Sequence, residues 1–180
     1  YTHCHADHVN GIDDLRCFNA LSGKDIPIYG ASWVLEQLKH NFSYVFREQT
    51  RGFRPQLRSV EVRGAFELFG REIVPVVLHH GHDKVIGYRI GRMAYLTDCS
   101  EIPVAAREQL CDLDLLVIDG LRFRHPPTHF TVDEAVEMAR LLQAKRVVLT
   151  HLSHDVDYER DSLQLPEHVE FAYDGLSVTL

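Results

Sequence analysis

Histidine is bunched in this chain. Ten of the twelve histidines fall in four tight groups: His3, His5 and His8; His79, His80 and His82; His125 and His129; His151 and His154. Only His40 and His168 stand apart. Core or surface imidazoles have no reason to cluster this way. A fold that must bring distant segments onto shared cations does. The densest group is Thr2-His3-Cys4-His5-Ala6-Asp7-His8. In extended backbone, residues i and i+2 point the same way, so His3 and His5 can share one ion. Asp7 and His8 fall where the chain is expected to turn into a helix, within reach of a second ion beside the first. A helix N-terminus disfavours imidazolium, which keeps His8 neutral and able to ligate. Imidazole and carboxylate suit zinc, and also manganese or iron.

The rest of the composition narrows the class. A chain of 180 residues, 45% hydrophobic and 25% charged, is ordinary globular material and of single-domain length. One domain over 1–180 is expected. Lys+Arg 19 against Asp+Glu 26 leaves a net charge of −7, which argues against broad binding of extended nucleic acid, because that needs a positive field. No run approaches the roughly 18 apolar residues of a membrane helix, so no membrane partner is expected. Cys4, Cys17, Cys99 and Cys111 form no C-x-x-C pair. That suits a reducing cytoplasm and makes a thiolate zinc site the wrong expectation.

Periodicity places the motifs. Residues 9–18 are expected to form a short helix weakened by Gly11, 26–30 a buried strand, and 32–40 a helix capped by Ser32. Residues 42–57 read as irregular, and Arg47, Arg51, Arg54 and Arg58 as a solvated rim, with a substrate-facing lid as the alternative. Short apolar runs at 60–62, 66–69, 73–78, 85–90 and 93–96 each fit a strand. A helix is expected over 103–110 and a core strand over 113–118, ending at Asp119-Gly120. Over 131–142 Thr131 and Glu134 spell a capping box ahead of an apolar stripe. Residues 146–150 are the next buried strand. Residues 169–173 and 176–180 are expected to close the chain as a hairpin around Asp174-Gly175. Strand runs followed by strand–helix alternation indicate an α/β fold, with layered sheets flanked by helices.

Three strand ends carry further ligand types: His79-His80 after 76–78, Asp98 after 95–97, and His151 after 147–150. Added to the first motif they supply seven ligands. They are His3, His5 and His80, and His8, Asp7 and His151, with Asp98 placed to bridge. Seven ligands suit two divalent ions with room for a shared hydroxide.

These residues resemble the metallo-β-lactamase superfamily. Thr2-His3-Cys4-His5-Ala6-Asp7-His8 is similar to its T-H-x-H-x-D-H motif, and His80, Asp98 and His151 follow in the order of its later motifs. The segments Gly87-Tyr88-Arg89-Ile90, Tyr95-Leu96-Thr97-Asp98, His125-Pro126-Pro127-Thr128-His129-Phe130, Leu149-Thr150-His151-Leu152-Ser153-His154 and Leu165-Pro166-Glu167 with Tyr173-Asp174-Gly175 resemble the PhnP-type cyclic phosphodiesterases. The resemblance implies an αββα sandwich with a dinuclear site at one edge of its sheets. It also implies His129 as the residue facing the substrate phosphate. The family carries several strands ahead of its first motif, so the natural protein is expected to have a longer N-terminus than Tyr1.

His79 and His80 are adjacent and point to opposite sides of a strand. His80 is the expected ligand, because it precedes Gly81 and stands seven residues before Gly87-Tyr88, as in the family pattern. His82 is expected at a loop or pocket rim, with a place behind a ligand as the alternative, and His154 as a partner to a ligand or a structural residue rather than a ligand itself. Cys4 and Cys99 should point away from the ions. His125 and His129 flank Pro126-Pro127, which stiffens the loop. Either both are surface residues, or His129 reaches the cleft as a phosphate or proton donor. The expected activity is metal-dependent phosphodiester hydrolysis of a small, cyclic or nucleotide-like substrate, with Asp7 and His129 catalytic. A homodimer is compatible with all of this. The rivals are another hydrolase on the same scaffold (a nuclease, thioesterase or lactamase) and a non-catalytic nucleotide-binding module.

Overall fold

The computed structural model describes residues 1–47 and 53–179. It comprises two compact units, Tyr1–Gly64 and Ala65–Leu180. Arg51 of the expected basic rim lies outside the described residues.

The first unit opens in extended backbone and turns into helix α1 (Ala6–Val9) after His5, whose φ −65° and ψ 152° are still those of a strand. The helix expected over 9–18 is broken. A 3-10 segment, Asn10–Asp14, separates α1 from α2 (Leu15–Ser22). Gly11 lowers helix propensity inside that segment, and Gly23 at φ 64° ends α2 with a left-handed cap. Strand β1 (Ile26–Gly30) pairs in parallel with β2 (Leu57–Glu61). Between them lie α3 (Ser32–Asn41) and the single turn α4 (Ser43–Phe46). Ser32 is not the cap of α3. The extended residue is Ala31, so the helix begins at Ser32 and no side chain caps it. Val34, Leu35 and Leu38 on α3 are buried, as are Ile28 on β1 and Val45 on α4. Burying each such side chain contributes about 1.5–3 kcal/mol. Arg54 is not a solvated rim residue, since its guanidinium donates to the carbonyls of Val45 and Arg47.

The second unit is built on a seven-stranded sheet in the order β3-β4-β5-β6-β7-β8-β9. Its strands are β3 (Phe66–Leu68), β4 (Arg71–His80), β5 (Asp83–Ile90), β6 (Met93–Leu96), β7 (Leu115–Asp119), β8 (Arg146–Thr150) and β9 (Val169–Phe171). Pairing is antiparallel from β3 to β6 and parallel from β6 to β9. The hairpin β4–β5 turns over two residues, Gly81 and His82. Gly81 takes φ +62° there, the conformation such a turn demands. Crossovers between the parallel strands carry α5 (Val104–Arg107), which runs on as a 3-10 turn to Leu110, and α6 (Val132–Leu141). The capping box of α6 is complete: Glu134 N–H donates to Thr131 Oγ1, and Thr131 N–H donates to the Glu134 carboxylate. Leu78, Leu96, Leu116, Ile118, Leu149 and Phe171 form the centre of the core with Ala135 and Ala139 of α6.

Two features of the chain's end differ from expectation. A helix, α7 (Tyr158–Ser162), is capped by Asp157. The closing hairpin is absent among the described residues: β9 pairs in parallel with β8, and 176–179 are not strand. Asp174-Gly175 makes a turn, closed by Leu176 N–H on the Tyr173 carbonyl, but the segment after it finds no partner strand. No described helix is long and apolar enough to cross a membrane.

Candidate active site

The two units each gather part of the expected ligand set. In the first, the extended backbone before α1 puts His3 and His5 on one side, with ring centroids 4.6 Å apart. The turn of α1 folds His8 back, so that its ring lies 4.3 Å from that of His3. His8 N–H donates to the His5 carbonyl at 3.0 Å, closing that turn. The Asp7 carboxylate lies 3.3 Å from His8 Nε2. His3 is buried, whereas His5 and Asp7 are exposed. Cys4 points away, its thiol donating to the Val34 carbonyl.

In the second unit the chemistry collects at the carboxyl ends of strands, where parallel sheets present their ligands. β4 ends in His80. The neighbours β6, β7 and β8 lead into Asp98, Asp119 and His151. Asp98 and His151 both take positive φ, 54° and 58°. Residues other than glycine rarely adopt this conformation, at a cost of order 1–3 kcal/mol. It breaks the strand direction at the point where each side chain must be turned. Asp98 is 1% exposed. Its Oδ1 accepts from the Thr97 hydroxyl at 2.6 Å, and its Oδ2 is 3.3 Å from His151 Nε2.

The chemistry of the donors fits a divalent ion. His80 Nδ1 lies 2.7 Å from the Thr128 carbonyl. A carbonyl can only accept, so the ring proton is on Nδ1 and the lone pair is on Nε2. That is the tautomer in which metal-bound histidines are held. Close imidazoles beside carboxylates likewise suit zinc, manganese or iron.

The loop 121–130 supplies that carbonyl and also His129. It is closed at its base by Leu121 N–H on the Phe130 carbonyl, and joined to the turn after Asp98 by Phe130 N–H on the Cys99 carbonyl. The ring of His129 stacks on His151 at 5.0 Å and meets His80 edge-on at 4.6 Å. Its Nδ1 lies 2.7 Å from Asp119 Oδ2, which also accepts the Cys99 N–H at 3.0 Å. Asp119, His129 and His151 together form a close group of three ligand-type side chains.

Asp119 was not foreseen as a site residue, because an aspartate before glycine at a strand end reads as a turn. The available signal was its equivalence to Asp98 and His151: three apolar strands in succession each lead into a ligand type. Asp119 is fully buried, and its Oδ1 has no hydrogen-bond partner among the described residues. Burial pushes its carboxyl above the ordinary carboxylate range, against the lowering pull of His129.

The remaining histidines fall outside this array. His79 faces away from His80 and pairs with Glu101 at 3.0 Å. His82 is exposed at the β4–β5 turn. His125 is exposed, with Glu134 at 3.6 Å. His154, expected beside a ligand, is instead solvent-exposed and 3.5 Å from Asp155. Cys99 is buried, and burial raises its thiol well above the usual value.

A family model for the beta-lactamase superfamily domain matches residues 1–152. The crystal structure of a new diphosphatase from the PhnP family superposes with a TM-score of 0.89 at 42% identity, over 98% of this chain and 67% of that one. Two more distant structures show the fold alone. Bacillus subtilis YhfI has a TM-score of 0.76 at 20% identity, over 97% of this chain and 73% of that one. Human tRNase Z, short form, has 0.71 at 22%, over 99% and 76%. Among curated proteins, an octanoyltransferase of Porphyromonas gingivalis (strain ATCC BAA-308 / W83) is 35% identical over 99% of this chain. The chain spans 37% of that relative's length.

Proposed function

This chain belongs to the beta-lactamase superfamily domain family, and from that premise we propose that it is a dinuclear metal-dependent hydrolase of small phosphodiesters, cyclic ones included. His3, His5, His80 and Asp98 hold one ion, and Asp7, His8, Asp98 and His151 hold the other, with Asp98 shared. Zinc, manganese and iron all suit this mixed set. Ions held there supply Lewis acidity, neutralising charge on phosphate oxygens and making water a competent nucleophile near neutral pH.

The protein's own residues do the rest. Asp7 orients the attacking water and receives its proton. His129 hydrogen-bonds a phosphate oxygen or protonates the leaving alkoxide. The observation that carries the reading is the placement of His129. It is held by a buried carboxylate and lies against the rings of His80 and His151. An imidazole so placed beside ligand residues is suited to charge and proton traffic on a phosphate. The 42% identity to a PhnP-family diphosphatase supports a phosphorus ester or anhydride as substrate. The net charge of −7 favours a small substrate over an extended nucleic acid.

The test is a parallel screen of the metal-replete protein. Its substrates are bis-p-nitrophenyl phosphate, a cyclic ribose phosphate, a dinucleoside diphosphate, an octanoyl thioester and a β-lactam. Turnover of a phosphodiester above the others is expected. Preference for the thioester would replace the phosphodiesterase reading with an acyl one. Ligand retention without turnover of any substrate would replace it with a binding module.

A further inference from the structure

The segment Tyr173-Asp174-Gly175 has no part in the ligand set proposed above, yet it stands at the sheet edge that carries His151. β9 runs parallel to β8 with Phe171 paired to Leu149, and Ala172 N–H donates to the Leu149 carbonyl at 2.8 Å. Tyr173 therefore leaves β9 at the level of the sheet where His151 leaves β8. Its backbone is fixed by the turn that follows, in which Leu176 N–H donates to the Tyr173 carbonyl at 3.0 Å. The ring of Tyr158 meets that of Tyr173 at 6.0 Å and an interplanar angle of 85°, and lies 6.4 Å from the ring of Phe171, which is wholly buried. Tyr158 opens α7 directly after its cap, Asp157, whose carboxylate accepts Arg160 N–H at 2.9 Å. The buried Asp161 accepts Asp157 N–H at 2.8 Å and the Arg160 guanidinium at 2.7 and 2.8 Å, which fastens that turn.

Both tyrosines are thus held from below, yet Tyr158 is 45% and Tyr173 53% exposed. Packing α7 on β9 covers Phe171 and does not explain why two large rings stay half in water beside it. A tyrosine ring has few torsions to lose, so a flat group can stack on it at little cost in ordering. The rings stand edge to face, so one offers a face to such a group while the other bounds it.

We propose that Tyr158 and Tyr173 form a stacking subsite for the base of a nucleotide-like phosphodiester. The proposal rests on the phosphodiesterase reading and deepens it: among small diesters, those carrying a planar heterocycle are selected over plain sugar or alkyl diesters. Every base has a π-face, so the subsite selects for a base without distinguishing sharply among bases.

The experiment measures kcat and KM of the metal-replete chain on two substrates with the same reacting centre. One is the ribose cyclic phosphate of adenosine, and the other is the same cyclic phosphate with a methyl group in place of the base. Wild type should favour the adenosine substrate in kcat/KM. Tyr173→Ala should cut kcat/KM on that substrate by roughly 5- to 150-fold, mostly through KM, and on the base-free one by less than about twofold, as for one lost base–aromatic stack. Tyr173→Phe keeps the ring and should keep the preference. The ratio of the two rates does not depend on how much of a variant is folded. Equal kcat/KM on both substrates in wild type, or equal losses in Tyr173→Ala, overturn the proposal. So does a preference that survives Tyr158→Ala and Tyr173→Ala together. If neither substrate turns over, the preceding reading fails, and calorimetric binding of adenosine monophosphate decides on the subsite alone. Binding weakened by Tyr173→Ala and kept in Tyr173→Phe leaves the subsite standing. No binding, or binding indifferent to Tyr173, overturns it.

Discussion

At the scale of single residues, the proposed hydrolase has His129 act on substrate without holding a cation and Asp98 hold cations, and variants test that division. His129→Ala removes a ring that touches His80 and His151 but is no part of the proposed ligand set. Metal content should stay intact while turnover falls by roughly 10²–10⁴. Metal loss in proportion to lost activity, read by elemental analysis, would reassign His129 as a ligand. Asp98→Ala removes the proposed shared ligand, so both metals should go or become disordered. Full occupancy at both positions would end the bridging role. The thiols offer a control away from activity. Cys99 is wholly buried, with its thiol held protonated, while Cys17 and Cys111 are exposed. A disulfide-exchange reagent should modify Cys17 and Cys111 in the folded chain, and Cys99 only after denaturation.

At the scale of elements, two local devices set the site. The capping box at Thr131 fixes where the loop 121–130 ends and α6 begins. Thr131→Ala should cost about 1 kcal/mol, seen as a fall of roughly 2–4 °C in Tm. No change in Tm would show that the loop is held without the cap. The second device is Gly81. A Cβ added there would lie 2.8 Å from Thr128 Cγ2, at a φ of +62° that side chains rarely adopt. Gly81→Ala should therefore displace Thr128, whose carbonyl orients His80. Weaker metal binding, measured by calorimetry, is the expected result, and an unchanged affinity would mean His80 is held by other contacts. Neither Thr128 nor Gly81 announces itself as a site residue, because the clash and the carbonyl contact join positions 47 residues or more apart.

At the scale of the whole molecule, the proposed ligands are divided between the units: His3, His5, Asp7 and His8 in the first, His80, Asp98 and His151 in the second. Metal binding then stabilises the folded chain by linkage, about 2.7 kcal/mol for a site at one hundred times its Kd. Chelation should lower Tm and added zinc or manganese restore it. A Tm indifferent to verified metal removal would argue against the proposed ligand set. Much of this was legible in the chain itself. The metallo-β-lactamase family and its α/β fold follow from motif residues whose spacing is set by local backbone geometry. The capping box and most strands follow from patterns confined to a few neighbouring positions. Tertiary structure alone decided that residues 176–179 stay unpaired, that His154 faces solvent, that Arg54 turns onto its own loop, and that Asp119 reaches His129. Each of these depends on which distant segment occupies the adjoining space. Periodicity along a chain records the face a side chain takes, and carries no record of what that face will meet.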